Sequence, residues 1–346
     1  MASGTRRRFA RLTPLQCNSV DEGTAAGSTR GMRDLRVLSY NVRYFGHSTR
    51  GLASTPKAMK RIADAIAALD PVPDLLCLQE VETQSLRSTI AHPVTHPDET
   101  QLDRFSVMLS ASLATAGKAR AFAPYYFPAH SYRIAKGAEV YTTGVAVLVG
   151  ETLTVEGHNA KEPADVTHRR PYAIRRLKQT RVCAHLRLRE RDGSGAPFDL
   201  FNTHLSLPAA FAKEFWTKPR RLGWGKNQLE EAKNMARFVE QVANDERFFV
   251  VGDFNALPDS PVYEHLACDA GLTDALAKVK KMSIDDLVEW PTAGFMRLRM
   301  HLDHVFSGGG VAWLDFDASA PFGDRASPFY GLSDHVPLIG RFRVQP

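Results

Sequence analysis

The sequence predicts an α/β fold built from two strand–helix–strand units. Two observations carry that prediction: the units repeat, and every apolar strand stops on a polar or acidic residue. In the first unit, Leu35 to Tyr40 reads as a strand and Pro56 to Leu69 as a helix. Ser54 or Thr55 can cap that helix, Pro56 suits its first turn, and Met59, Ile62, Ala63, Ile66 and Leu69 fall on one stripe. Asp70-Pro71 stops the helix, and Leu75 to Leu78 follows as a continuously apolar strand, the pattern of a strand buried on both faces. The second unit repeats the order: a strand over Phe198–Thr203, a helix marked by Leu229, Ala232, Ala236, Val239 and Val242, and a buried strand over Phe248–Val251. Such repetition suggests one duplicated architecture rather than two separate domains. Further strands are expected at 143–149, 181–188, 302–306 and 336–343, and irregular segments at 92–104, 157–172, 208–227 and 308–332. Long irregular segments suit substrate selection.

Residues 1–31 differ from the rest. They are rich in Gly, Ser, Thr, Ala and Arg without apolar periodicity and are expected to be a disordered basic tail, with the folded domain running over 32–346. Five arginines against Asp21 and Glu22 give this tail about half of the chain's net charge of +6, so the folded part is close to neutral for its size. No apolar core follows Arg6-Arg7-Arg8, and no stretch approaches the ~18 apolar residues of a membrane span. The four cysteines are scattered, without a C-x-x-C pair or disulfide-like spacing. A monomer in a reducing, cytoplasmic compartment is the expectation.

The polar residues that end the strands are Asn41, Glu80, His204 and Asp253, with Asn255 two positions beyond. Asp303 opens the strand through Val305-Phe306, and Asp334-His335 opens the last one. Taken singly each has an ordinary explanation: a surface Glu, a hydrogen-bonded His, an Asp-x-Asn turn. The set of six blocks is far more specific. Ser39-Tyr40-Asn41-Val42, Leu78-Gln79-Glu80-Val81, Asn202-Thr203-His204-Leu205, Gly252-Asp253-Phe254-Asn255, Leu302-Asp303-His304-Val305 and Ser333-Asp334-His335-Val336 occur in that order across residues 35–343. In this the chain resembles the endonuclease/exonuclease/phosphatase family, which spans nucleases, inositol-polyphosphate phosphatases and neutral sphingomyelinases. The resemblance implies a four-layered α/β sandwich, two packed mixed β-sheets flanked by helices.

If Glu80, Asp253, Asp303 and Asp334 converge, carboxylates ~5 Å apart at an effective dielectric of ~20 repel by roughly 3 kcal/mol per pair. Such a cluster calls for protons or a cation. Oxygen ligands without Cys favour a hard ion, so Mg²⁺ is expected, with Mn²⁺ able to substitute and Ca²⁺ a further option. Glu80 is the leading ligand, Asn41 would add a neutral oxygen, and the resemblance implies Asp334 as another. Hydrolysis of a phosphodiester needs its charge neutralised, a water activated and the leaving oxygen protonated. Asn255 would bind the phosphate. His335, oriented by Asp303, and Asp253 would share phosphate binding and water activation. His204 would stabilise the phosphate or protonate the leaving group. Tyr141, just before the strand at 144–148, is a candidate phosphate contact, and Arg181 a candidate substrate arginine, as it is in pancreatic-type DNases, with Arg170 competing for that place.

Two basic stretches bear on the substrate. Residues 168–191 hold eight arginines and Lys178 against Glu190 alone, and residues 208–226 interleave Lys and Arg with Phe211, Phe215, Trp216 and Trp224. Nucleic acid is the first expectation for such a surface. A phospholipid surface is the alternative, with a sphingomyelinase-like or phosphoinositide phosphatase-like hydrolase. A catalytically inactive binding module on the same fold is disfavoured, because every candidate catalytic residue is present.

Overall fold

Two parallel β–α–β crossovers set the frame of the molecule. The computed structural model describes residues 33–47, 55–82, 100–135, 138–168, 180–207 and 222–346, with the backbone alone over 130–135 and 138–142. The expected tail at 1–31 therefore lies outside the described residues.

In chain order the main elements are β1 (Leu35–Asn41), α1 (Pro56–Ala68), β2 (Leu75–Glu82), α2 (Gln101–Thr115), β3 (Phe122–Ala135), β4 (Ala138–Gly150), β5 (Leu153–His158), β6 (Ala164–Asp165), β7 (Val182–Glu190) and β8 (Phe198–His204). They continue with α3 (Lys226–Val242), β9 (Phe248–Asp253), β10 (Thr273–Asp274), β11 (Ala293–Phe295), β12 (Leu298–Met300), β13 (Asp303–Ser307), β14 (Val311–Asp315) and β15 (Leu338–Val344). One sheet runs β14-β15-β1-β2-β4-β3 and the other β10-β13-β9-β8-β7-β5, with β6 beside β7 and β11–β12 as a separate hairpin. Among the described residues only β1–β2 and β8–β9 are parallel, with α1 between the first two in the chain and α3 between the second two. The other strands pair antiparallel, so both sheets are mixed.

Alternation along the strands builds the layers. Val37, Leu75, Cys77 and Val147 point into the core they share with Phe342 of the same sheet and with Leu186, Leu200 and Phe249 of the facing one. Leu38, Leu76, Leu78 and Leu148 point the other way, onto Met59, Ile62 and Ile66 of α1 and Phe105 and Leu109 of α2. Fully burying an aliphatic or aromatic side chain contributes ~1.5–3 kcal/mol, so this two-sided burial of β1 and β2 makes them the rigid centre of their sheet. Thr55 caps α1, its hydroxyl accepting from the Ala58 N–H at 3.1 Å.

Three features depart from the sequence expectations. Residues 101–115 form α2, opened by a Thr100–Asp103 capping box, although 92–104 was expected to be irregular. β14 lies within the expected irregular segment 308–332, as an edge strand on β15. Cys268 is disulfide-bonded, which its spacing does not suggest, while Cys77 and Cys183 are free and buried. Sequence spacing alone cannot reveal a partner brought close by folding. Among the described residues no helix is long and apolar enough to cross a membrane.

Candidate active site

The parallel crossovers deliver their polar strand ends to the same edge of the sandwich. β8 and β9 run in register with His204 opposite Asp253, and β13 pairs with β9 so that Asp303 faces Asp253 from the other side. Gly252 makes the close approach possible. It adopts φ +152, and a Cβ there would stand 2.0 Å from the Thr203 carbonyl oxygen. From the other sheet, β1 ends at Asn41, and β2 breaks register with β4 between Leu78 and Val81. Glu80 sits in that irregularity with φ +55, so its side chain turns away from the strand's alternation and toward the cleft. A buried amide pair holds the sheets together below: Gln79 Nε2 donates to Asn202 Oδ1 at 2.8 Å, and Asn202 Nδ2 donates to the carbonyls of Leu78 and Ala146.

Asn41 ties the halves of the site together. Its Nδ2 donates to Asp253 Oδ2 at 2.9 Å and to Glu80 Oε1 at 3.2 Å, while its Oδ1 accepts from the Arg43 N–H. The neutral oxygen expected beside Glu80 thus faces Arg43, and Asn41 presents its amide nitrogen to the two carboxylates. His204 Nε2 lies 3.5 Å from Asp253 Oδ2 and 3.8 Å from Glu80 Oε1. His335 Nε2 lies 3.7 Å from the same Asp253 oxygen, and its Nδ1 donates to Asp303 Oδ2 at 2.8 Å. Asp253 Oδ1 accepts from the Asn255 N–H, and Asn255, at φ +50, donates from Nδ2 to the Leu205 carbonyl. Asp334 is paired with Arg43 at 2.7 Å.

The two histidines are held in different charge states, His335 cationic and His204 neutral. Burial opposes the His335 cation, but Asp303 and Asp253 drive its imidazole well above the ordinary range. Burial, Arg181 and His335 together hold His204 well below it. Burial also pushes Asp253 up to about 7, with Asp303 adding to the rise while His335, Asn41 and Asn255 oppose it. Glu80 is raised by burial and by Asp334. A cation relieves that pair of acids, and Glu80 with Asp334 offers the oxygen-only donors a hard divalent ion takes. Asp253, Asp303 and His335 form a second group whose candidate ligand atoms lie within 4.8 Å of one another. The fit to a divalent ion is therefore good in the chemistry of the donors.

Glu80, Asp253, Asn255, Asp334 and His335 line a cavity of about 760 Å³ together with residues of the β11–β12 hairpin, while Asn41, His204 and Asp303 stand behind them. A phosphate alone is far smaller than this space. The sequence profile of the endonuclease/exonuclease/phosphatase family matches residues 38–335. The chain belongs to the endonuclease/exonuclease/phosphatase family. Its two-sheet architecture is that family's fold, as expected. No curated protein matches significantly. Among solved structures, the human Nocturnin catalytic domain with bound sulfate is 18% identical over 92% of this chain and 100% of its own, with a TM-score of 0.58. A family protein from Leptotrichia buccalis C-1013-b is 17% identical over 88% and 98%, at 0.59. ANGEL2, a 2',3'-cyclic phosphatase, is 17% identical over 92% and 97%, at 0.58. At these identities the likeness is one of fold. Members of the family hydrolyse phosphoester bonds and generally depend on divalent metal.

Asn41, Glu80, His204, Asp253, Asn255, Asp303, Asp334 and His335 therefore converge, as expected from the strand ends. Arg181 is buried behind His204 and contacts it, rather than lining the cavity. The backbone of Tyr141 lies in β4, its side chain being outside the described residues, as is all of Arg170. In the basic stretch 168–191, Arg187 pairs with Asp199, and Arg189 with Glu156 at 2.5 Å, so these two cations serve the β5–β7–β8 surface. Sequence reasoning missed Arg43, Thr292, Ser206 and Glu231. The Thr292 hydroxyl accepts from the N–H groups of both Leu302 and Asp303, fixing the start of β13. Glu231 had a signal, since it interrupts the buried face of α3 formed with Ala232, Met235 and Val239.

Proposed function

We propose that the protein is a divalent-metal-dependent phosphodiesterase, with Mg²⁺ as the first choice of ion and nucleic acid as the first choice of substrate. The observation that carries this reading is the approach of Asp253 to one cationic and one neutral histidine beside the Glu80–Asp334 acids. Bound by Glu80 and Asp334, the ion would neutralise charge on the phosphate and polarise it for attack. His335, cationic and oriented by Asp303, binds a phosphate oxygen through Nε2–H. Asp253, with its carboxyl near 7, accepts the proton of the attacking water, since an already protonated His335 cannot. Asn255 and Asn41 hold Asp253 in place. Arg297 at the cavity supplies positive charge for a further phosphate, whereas Arg43 is paired with Asp334. The sulfate bound by one solved neighbour and the cyclic phosphate substrate of another agree with an oxyanion site.

One observation favours a second reading. Phe295, Met296 and Leu298 of the hairpin and Leu207, which lines the same cavity, are exposed, Met296 by 82%, and such a rim suits a phospholipid surface. The experiment is a turnover panel in Mg²⁺ and in EDTA with single- and double-stranded DNA, RNA, sphingomyelin, phosphoinositide and a chromogenic phosphodiester. Cleavage of RNA or DNA supports the first reading, cleavage of lipid alone the second, and no turnover of any substrate contradicts both.

A further inference from the structure

The buried chain behind His204 has no part in the mechanism above. Arg181, 8% exposed, places Nη1 3.3 Å from His204 Nδ1 and Nε 3.2 Å from Ser206 Oγ. Ser206 donates in turn to Glu231, its hydroxyl to Oε1 at 2.9 Å and its N–H to Oε2 at 3.0 Å. Glu231 is fully buried on α3, so a carboxylate, a hydroxyl and a guanidinium form one line ending on the imidazole.

A guanidinium has donors only and stays protonated. Its partner at Nδ1 must therefore be a lone pair, which places the single ring proton of a neutral His204 on Nε2. That proton points where donors are wanted, toward Asp253 Oδ2 and Glu80 Oε1. We propose that Arg181, held by Ser206 and Glu231, is a positioning residue that locks His204 in the Nε2–H tautomer and so makes it a fixed hydrogen-bond donor to the phosphate, not a proton-transfer group. The proton balance follows. Giving up the Nε2 proton would leave an imidazolate, and Nδ1 is closed to an incoming proton by the guanidinium. His204 then neither protonates the leaving oxygen nor activates the water; Asp253 takes the water's proton and the leaving oxygen takes one from solvent in the cavity. Arg181 is thereby assigned away from direct substrate contact.

This inference rests on the cleft being the phosphodiester site, and its test separates the two. Long-range ¹H–¹⁵N spectra of the histidine-labelled protein near neutral pH, with His204 assigned through His204→Gln, read the tautomer without any turnover. The expected result is an unprotonated Nδ1 and a protonated Nε2 in the wild type and in Arg181→Lys, and loss of that preference in Arg181→Met. An imidazolium or an Nδ1–H tautomer in the wild type overturns the proposal even if no variant folds; so does an unchanged tautomer in folded Arg181→Met. Turnover gives a second arm. Because a Gln amide donates from a different position, His204→Gln should lower kcat by about tenfold for good and poor leaving groups alike, whereas loss of a general acid costs ~10²–10⁴-fold. A loss of that larger size, growing as the leaving group worsens, contradicts the fixed-donor role.

Discussion

Asp253 and Asp303 stand opposite each other across β9 and β13, and His335 lies between them, 2.8 Å from Asp303 and 3.7 Å from Asp253. The arrangement stores a proton on the histidine and leaves the second carboxylate with a raised affinity for another. Asp303→Asn should remove the group that orients and charges His335, lowering kcat by ~10²–10⁴-fold with the circular dichroism spectrum unchanged. A kcat within a few-fold of wild type, measured on a chromogenic diester, would remove His335–Asp303 from the chemistry.

The pH profile of kcat/KM follows from the same trio. Catalysis needs Asp253 unprotonated and His335 protonated. Activity should therefore rise with pH through an acid limb at or below about 7, because a bound cation can only lower Asp253 from there. It should fall again only at higher pH, where His335 loses its proton. An alkaline limb near the ordinary histidine range would mean that His335 is not the cation described.

Stability should carry a separate acid signature from His301. Buried and with Nδ1 donating to the Trp290 carbonyl, it is lowered to about 4, chiefly by burial and then by His304. Its unfolded-state value is near 6.5. The folded form thus binds fewer protons than the unfolded one between those values, and stability present above pH 6.5 is lost as pH falls toward 4. The loss from this one group is about 3 kcal/mol at most. Urea unfolding across that window should show it in wild type and show a flatter dependence in His301→Gln. Parallel curves would assign the loss to other groups.

Gly252→Ala tests how tightly the strand ends are drawn together. The new methyl would meet the Thr203 carbonyl in the β8–β9 pair. The expected cost is about 3 kcal/mol or more, read as a lowered Tm, with residual activity falling too because His204 and Asp253 separate.

The site was legible in the sequence where an apolar run ends on a polar residue at a strand edge, because parallel neighbours must bring such ends together. Asn41, His204 and Asp253 are of this kind. Glu80 was found for the same reason, but its positive φ and the break in β2 register leave no mark on composition. Nor could the chain reveal which amide atom of Asn41 meets Glu80, or that Arg181 turns inward to His204, since both depend on partners over 20 residues away. The helix α2 was detectable in principle. Thr100, Asp103 and the stripe Leu102, Phe105, Leu109 and Leu113 carry both a cap and a period. β14 was not, because a short edge strand has only one paired neighbour to impose a pattern.

The most direct test of the account is hydrolysis of a simple phosphodiester by wild type, Glu80→Gln and Asp253→Asn, each in EDTA and after adding Mg²⁺. Wild type should be inactive in EDTA and recover with Mg²⁺, Glu80→Gln should need much more Mg²⁺, and Asp253→Asn should stay inactive at any Mg²⁺ concentration. Undiminished wild-type turnover in EDTA, or full activity of Asp253→Asn, would contradict it.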